Sequence, residues 1–133
     1  MSNAQYINPQ CLAAPPGNFS WMTRSGNIVW LAGMVGIDKS GNIVGVGDAE
    51  AQTRQVYANV EAQLKEIGGS LNNLVKTVTY VVGREHVPGM ARVRGGLRSE
   101  GKMTNMPAST LLIVAGLQDP DYLVEMDAVA VIG

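Results

Sequence analysis

Three segments of this sequence each predict a strand that carries apolar residues on both of its alternating sides. They are residues 74–82 (LVKTVTYVV), 109–117 (STLLIVAGL) and 122–132 (YLVEMDAVAVI). A strand with one face in water alternates apolar and polar side chains, whereas a strand buried on both faces is apolar throughout. We therefore expect a sheet that is shielded on both faces, and the fold must supply two covering layers.

The remainder of the sequence predicts two helices and a hairpin. Residues 26–37 predict a strand that bulges near its glycines, and residues 38–45 predict the turn and a short return strand. Asp48 is placed to cap a helix that ends at the glycine pair 68–69. A second helix is predicted for residues 87–100, where three glycines require either a packing reason or a break.

The predicted order is strand, strand, helix, strand, helix, strand, strand, which is typical of an α+β fold. It gives a mixed sheet of five to six strands with both helices on one face. No part of the sequence is left over for a third layer, so another copy of the chain is the best cover for the second face, in a closed homo-oligomer. A small barrel whose second face closes on itself is the alternative.

The composition is that of one globular domain. The 133 residues are 46% apolar, so we expect a single domain over residues 1–133, with residues 1–4 set aside as a candidate tag remnant. The net charge of −1 disfavours nucleic acid and anionic membranes as partners. No apolar run approaches the roughly 20 residues of a membrane span. The lone Cys11 cannot form an internal disulfide, and the sequence shows no secretion signal. We therefore expect a cytoplasmic protein.

Several stretches, in their order and spacing, carry a family resemblance. They are PPGNFS at 15–20, VWLAGMVGID at 29–38, the run from AEAQTRQ to VKTVTYV at 49–81, and PASTLLIVAGL at 107–117 followed by VEMDAVAV. With them the chain resembles the RidA family, also called YjgF or L-PSP proteins. The resemblance implies a chorismate-mutase-like (RidA-like) subunit in a homotrimer with clefts between neighbours. It also implies hydrolysis of enamines and imines, such as 2-aminoacrylate, to 2-keto acids and ammonia with no cofactor and no metal.

The resemblance carries site residues to four positions of this sequence, and Thr110 beside Ser109 is added for its hydroxyl. Glu125 matches a glutamate that positions or activates water, and Gly33 matches a glycine whose backbone helps to bind the substrate. Phe19 takes the place of an aromatic residue, and Ser109 stands where the family has an arginine that binds the substrate's carboxylate. We predict Glu125 as the catalytic residue, and Ser109, Gly33, Phe19 and Thr110 as ligand contacts.

The serine at position 109 changes what such a site can bind. A neutral hydroxyl offers one hydrogen bond where a guanidinium offers two and a charge. This argues against the standard 2-imino acid deaminase activity and for a less acidic small metabolite in the intersubunit cleft. Two alternatives stay open: a non-catalytic protein that binds a small molecule in that cleft, and an RNA-directed protein of the endoribonuclease or translation-inhibitor kind.

The candidate site residues also have structural alternatives. Glu125 shares a predicted strand face with Asp127, so burial and a like charge would raise its pKa, but it could instead pair with a basic group across the interface. Ser109 and Thr110 could instead begin a strand or cap a turn after Pro107.

Residues outside the family's motifs have weaker claims on the site. His86 is predicted to have a surface or capping role and Cys11 a structural or incidental one, because neither has a partner that would make a metal site or activate it. Four arginines near the second helix could replace the missing one or form a solvated face. They are Arg84, Arg92, Arg94 and Arg98.

Overall fold

The computed structural model describes residues 3–133, so the first two residues of the segment set aside above lie outside the described residues. This part of the chain forms one mixed sheet of six strands and two helices. Neither of its helices is long and apolar enough to cross a membrane. The strands are β1 (Gln5–Ile7), β2 (Met22–Ser25), β3 (Ile28–Val35), β4 (Leu74–Val82), β5 (Ala108–Val114) and β6 (Val124–Val131), and the helices are α1 (Ala49–Glu66) and α2 (Val87–Ser99).

Across the sheet the strands lie in the order β1, β2, β3, β6, β4, β5. All neighbours are antiparallel except β4 and β5. These two run parallel and are joined through α2, because parallel neighbours need a crossover connection. The predicted α+β class, with five to six strands and two helices, is confirmed. The last strand, β6, is hydrogen-bonded to a strand on each side, so its side chains lie in the middle of the sheet.

Helix α1 begins and ends where the sequence predicts. The Asp48 carboxylate accepts a hydrogen bond of 3.0 Å from the Ala51 backbone N–H, which satisfies a free donor of the first turn. The helix ends at Glu66, and Gly68 follows with a φ of +85°, a conformation that favours glycine. The apolar stripe of the helix is buried against the sheet and includes Val56, Val60 and Leu64.

Helix α2 runs unbroken through all three of its glycines. Pro88 lies in its first turn, as predicted. A Cβ at Gly89 would stand 3.4 Å from the backbone nitrogen of Glu50, so this glycine allows α2 to approach α1 closely. Gly95 and Gly96 have no such contact, and nothing in the structure explains them.

The hairpin predicted between residues 26–37 and 38–45 is wrong in its second strand. β3 forms within the first range and contains a bulge between Leu31 and Met34, as its glycines predict. Residues 38–45 contribute only an isolated bridge, which pairs Ile43 with a residue just after β3. The partner of β3 in the true hairpin is β2.

The loop that follows β3 is held by a side chain. The Asp38 carboxylate accepts hydrogen bonds of 2.9 Å from the backbone N–H groups of Ser40 and Asn42 and holds this segment as a compact loop. The turn between β2 and β3 instead contains Gly26 at a φ of +59°, which glycine adopts without strain. The backbone still pairs across the loop after β3, from the Asp38 N–H to the Asn42 carbonyl and from the Val44 N–H to the Gly36 carbonyl, so the pairing is present but too short to form a strand.

Both helices lie on one face of the sheet. Helix α1 packs against β3, β6 and α2, and the strand residues beneath the helices, such as Val81, Met126 and Ala128, are buried. We call the opposite side the open face. Its apolar side chains include Trp30, Leu112 and Val131, with 44%, 44% and 42% of their surfaces exposed. The residues that define the open face are Trp30, Lys76, Val78, Tyr80, Thr110, Leu112, Glu125, Asp127, Val129 and Val131.

A buried glutamine ties α1 to two loops. Gln52 has no exposed surface, and its Nε2 donates to the carbonyl oxygens of Gly45 and Asp121 at 3.2 and 2.9 Å. Its Oε1 accepts a hydrogen bond of 2.9 Å from the Leu123 N–H. Gly36 allows this approach, because a Cβ there would stand 2.9 Å from the Gln52 Cα. Since Leu123 directly precedes β6, Gln52 ties the start of that strand to α1.

We expect Gln52→Leu to lower the free energy of unfolding and Gln63→Leu not to lower it. Both glutamines lie on α1 with no exposed surface, but the amide of Gln63 has no hydrogen-bond partner among the described residues. Gln52→Leu leaves the backbone groups that it binds unpaired and should lower the free energy of unfolding by about 2–4 kcal/mol. Gln63→Leu removes an unpaired buried amide and should leave that energy equal or higher. Urea unfolding measures both, and equal losses would contradict the role given to Gln52.

Candidate functional site

The Glu125 side chain lies on the open face in the middle of the sheet. Strand β6 carries it between β3 and β4, where its Cα pairs with that of Tyr80. The side chain is half-buried. Gly33 lies in the β3 bulge directly beside it, and a Cβ at Gly33 would overlap the Glu125 carboxylate. The bulge and the absent side chain at Gly33 therefore make the space that the carboxylate occupies.

Asp127 and Tyr80 lie with Glu125 on the open face. The Tyr80 hydroxyl donates a hydrogen bond of 2.8 Å to Oδ2 of Asp127. This bond and burial together raise the pKa of the Tyr80 phenol, and the nearby negative charges act in the same direction. The phenol thus stays a proton donor to Asp127 and orients the Asp127 carboxylate.

Glu125 has the electrostatic environment of an acid–base group. Burial raises its pKa above the ordinary value of 4.5, and the negative charge of Asp127 raises the pKa further. A carboxyl group with a raised pKa exchanges its proton nearer to neutral pH and can serve as a base or an acid. The two causes are those that the alternating pattern of β6 predicts.

A cation lies on the same face, towards the outermost strand. Lys76 on β4 donates a hydrogen bond of 2.8 Å from Nζ to Oγ1 of Thr110 on β5. Thr110 pairs with Val78 and so shares the open face with Glu125. The open face therefore carries carboxylates on β6, and an ammonium and a hydroxyl between β4 and β5.

Ser109, in contrast, points to the other side of the sheet. Its Cα pairs with that of Thr77, which is fully buried on the helix side, and paired residues of neighbouring strands point the same way. Ser109 itself is exposed, since β5 is the outermost strand. Within one chain the sheet lies between Ser109 and Glu125, so the structure does not bring these two predicted site residues together.

The structure places Phe19 in the loop before β2. Its ring meets the ring of Trp21 edge to face, with 5.5 Å between the centroids. Trp21 is buried and donates a hydrogen bond of 2.8 Å from Nε1 to the Ala13 carbonyl. Phe19 is therefore held by the core on one side, while 47% of its surface is exposed.

The α2 region contacts α1 and lies on the helix side of the sheet. Arg92 donates from Nε to the Glu50 carboxylate at 2.6 Å, and Arg54 donates to the same carboxylate at 3.0 Å. His86 stands 3.8 Å from the carboxylate of its neighbour Glu85. Within one chain, Arg92 is thus tied to α1 and is separated by the sheet from Glu125.

Cys11 has the environment of a structural thiol. Its backbone N–H donates a hydrogen bond of 2.8 Å to the Glu66 carboxylate. Burial, together with Glu66, raises the pKa of the Cys11 thiol to about 11. A thiol with this pKa carries almost no thiolate at neutral pH, which agrees with the structural role predicted for it.

Sequence reasoning missed Lys76 and Tyr80 as residues of the open face. Their signal is the alternation of β4. Both lie on that strand four residues apart, so they point to the same side of it as Val78, which lies between them. That signal is weak in a strand of mostly apolar composition. Only the register, which pairs Tyr80 with Glu125, shows that the polar residues of β4 and β6 meet.

Comparisons with known proteins give the family of the chain. The family model described as Endoribonuclease L-PSP matches residues 11–132. A RutC family protein of Pyrococcus abyssi is 34% identical over 116 residues, which cover 87% of each chain. The 3-aminoacrylate deaminase RutC of Acinetobacter baylyi is 30% identical over 126 residues, 95% of this chain and 96% of that protein.

The fold agrees with these matches. The crystal structure of the YjgF gene product from E. coli covers 96% of this chain and 98% of its own, with a TM-score of 0.86 and 25% identity. The residues matched by the family model include β6, which carries Glu125 and Asp127, and β4, which carries Lys76. The chain therefore belongs to the endoribonuclease L-PSP family, which is the RidA, or YjgF, family that its motifs resemble.

Proposed function

We propose that this chain binds a small metabolite at the open face and hydrolyses its enamine or imine group to a carbonyl product and ammonia. The observation that carries the proposal is the Glu125 carboxyl, which lies half-buried beside Gly33 with its pKa raised by burial and by Asp127. A relative named 3-aminoacrylate deaminase, 30% identical over 126 residues, supports a deamination of this kind. The proposed reaction uses water and a proton acceptor, without a cofactor.

In the proposed reaction the substrate reacts as the protonated imine. The Glu125 carboxylate accepts a proton from a water molecule while the water oxygen bonds to the imine carbon and the C=N electron pair moves to the nitrogen, which gives a neutral carbinolamine. The protonated Glu125 then donates that proton to the nitrogen of the resulting carbinolamine. The C–N bond breaks, its electron pair leaves with ammonia, and the hydroxyl proton is released as the carbonyl forms. One water is consumed and one ammonia is released. A raised pKa suits both transfers, because the group must first accept and then donate a proton.

We propose further that a homotrimer completes the site. Strand β5 exposes Leu111 and Ile113 on the side that carries Ser109, and the open face exposes apolar side chains as well. Packing of one copy's β5 against a neighbour's open face would bury both surfaces. It would also bring Ser109 of one copy towards Glu125 of the next, where a serine offers no charge to a substrate's carboxylate.

The rival functions differ in what they predict. A non-catalytic binding protein would use the same site with saturable binding and no turnover. An RNA-directed function is disfavoured by the net charge of −1 and by the contacts of Arg54 and Arg92, which both bind Glu50. The cytoplasmic location stays a prediction.

We expect Glu125→Gln to lower the rate of imine hydrolysis by about a hundredfold or more, because the amide cannot accept the proton of water. The assay follows the loss of imines generated by an amino acid oxidase and trapped by semicarbazide. Glu100→Gln, the same change at an exposed position, is the matched control and should retain the rate. Full activity of Glu125→Gln would show that another group carries the reaction.

The same assay tests the residue at position 109. Ser109→Arg should raise the rate with 2-imino acids by about tenfold or more, since it adds a charged anchor for their carboxylate. The double variant Ser109→Arg with Glu125→Gln should lose this gain. A gain that survives in the double variant would contradict a site shared by the two positions.

The pH dependence of kcat/KM should show an acidic limb set by the raised pKa of Glu125. The carboxylate is the active base, so activity falls as pH drops through this pKa, at a higher pH than the ordinary 4.5 of a glutamate. Asp127→Asn removes the like charge and lowers the pKa, so it should move the acidic limb to lower pH. The amide oxygen that this substitution introduces at position 127 can still accept the hydrogen bond from the Tyr80 hydroxyl. An unchanged limb would mean that another group titrates there.

Light scattering should give three times the mass of one chain. Trp30→Lys places a charge within the surface that the trimer would bury and should reduce the mass towards that of a monomer. Val46→Lys, at a position with 63% of its surface exposed in the loop before α1, is the control and should leave the mass unchanged. A monomeric wild-type chain would refute the proposed assembly.

A further inference from the structure

Lys76 is a half-buried cation without an ion pair. Within residues 3–133, the ion pairs are those of Glu50 with Arg54 and Arg92 and of Glu85 with His86. Lys76 has no carboxylate within 4.0 Å, and its Nζ donates instead to the Thr110 hydroxyl at 2.8 Å. A neutral hydroxyl compensates an ammonium poorly for the water lost on burial. The pair therefore has the capacity to bind an anion.

The register places this pair at a distance from Glu125. The register aligns Thr110 with Val78 and Asp127 in one row across the strands, and Glu125 lies in the next such row of the open face. The two rows are about 7 Å apart along the strands, and β5 lies about 10 Å from β6, two strand spacings away. An anion held by Lys76 is thus well separated from a carbon that reacts beside Glu125.

We propose that Lys76, supported by Thr110, is the anion anchor of the open-face site and selects the substrate. This inference rests on the proposed function. The substrate class is an imine or enamine whose carboxylate is several bonds from the reacting carbon. A 2-imino acid does not fit, because its carboxylate is bonded directly to that carbon and cannot reach both groups. A monoanionic carboxylate suits the site better than a phosphate dianion, since Asp127 and Glu125 lie on the same face.

Binding of stable keto acids tests the anchor without requiring turnover. The probes are 4-oxopentanoate and 5-oxohexanoate, which hold the carboxylate away from the carbonyl, with 2-oxobutanoate and neutral 2-pentanone for comparison. By calorimetry on the intact assembly, we expect at least one of the first two to bind about tenfold or more tightly than either comparison ligand. Lys76→Gln should remove this preference, and Lys76→Arg should keep it.

Two further variants separate the anchor from other effects. Thr110→Val keeps the size of the side chain but removes the hydroxyl, and it should weaken binding of the preferred keto acid by a few-fold. Lys102→Gln removes an exposed lysine on the helix side and should change nothing. If Lys76→Gln does not fold, Lys76→Arg and Thr110→Val decide the question: loss of binding in both, or in neither, would overturn the anchor.

The outcomes for the anchor and for the reaction are distinct. Equal affinity for 2-oxobutanoate and the longer keto acids, or unchanged affinity in Lys76→Gln, would overturn the anchor whether or not the wild type hydrolyses imines. Binding that depends on Lys76, with no hydrolysis of the imines of the same keto acids, would leave the anchor standing and refute the proposed function. Hydrolysis of these imines that falls in Lys76→Gln through a higher KM would support both.

Discussion

Two helices cover one face of a six-stranded sheet, and a single chain leaves the apolar side chains of the open face exposed to water. The central strands β4 and β6 carry apolar side chains on both sides, with Val81 and Met126 turned to the helices and Val78 and Val129 turned to the open face. Because apolar surface of this extent is costly in water, association of chains is the physical expectation. The same surface contains the polar residues of the candidate site, so assembly and function depend on one face.

The polar groups of the open face are arranged by charge. Glu125 and Asp127 lie on β6, with Tyr80 beside them, while Lys76 lies towards β5. A cover that excludes water would lower the effective dielectric constant and strengthen each of these interactions. The raised pKa of Glu125 is already present in the single chain. Burial of the open face would therefore increase a property that the sheet geometry has already established.

Sequence reasoning located the elements whose signals are local. Helix α1 begins with the Asp48 cap and ends beside Gly68, and β4 has the bounds that its composition predicts. The errors occur where a side chain changes the backbone's partners. Asp38 binds the N–H groups of its own loop, where the predicted return strand is reduced to one isolated bridge, and β2 pairs with β3 through a turn that was not predicted. A propensity scale does not contain these contacts.

The sequence by itself determined the family, the α+β class, and Glu125 with Gly33 as candidate site residues, because each depends on a local motif or a regular period. Only the tertiary structure decided which side chains share a face. A bulge between Leu74 and Lys76 places Leu74 in the core and Lys76 on the open face. Strict alternation along the strand would place both residues on the same face. In the same way, the register of β5 separates Ser109 from Glu125 and brings Thr110 to Lys76. Register follows from hydrogen bonds between distant segments, and a shift of one residue reverses the face of every side chain.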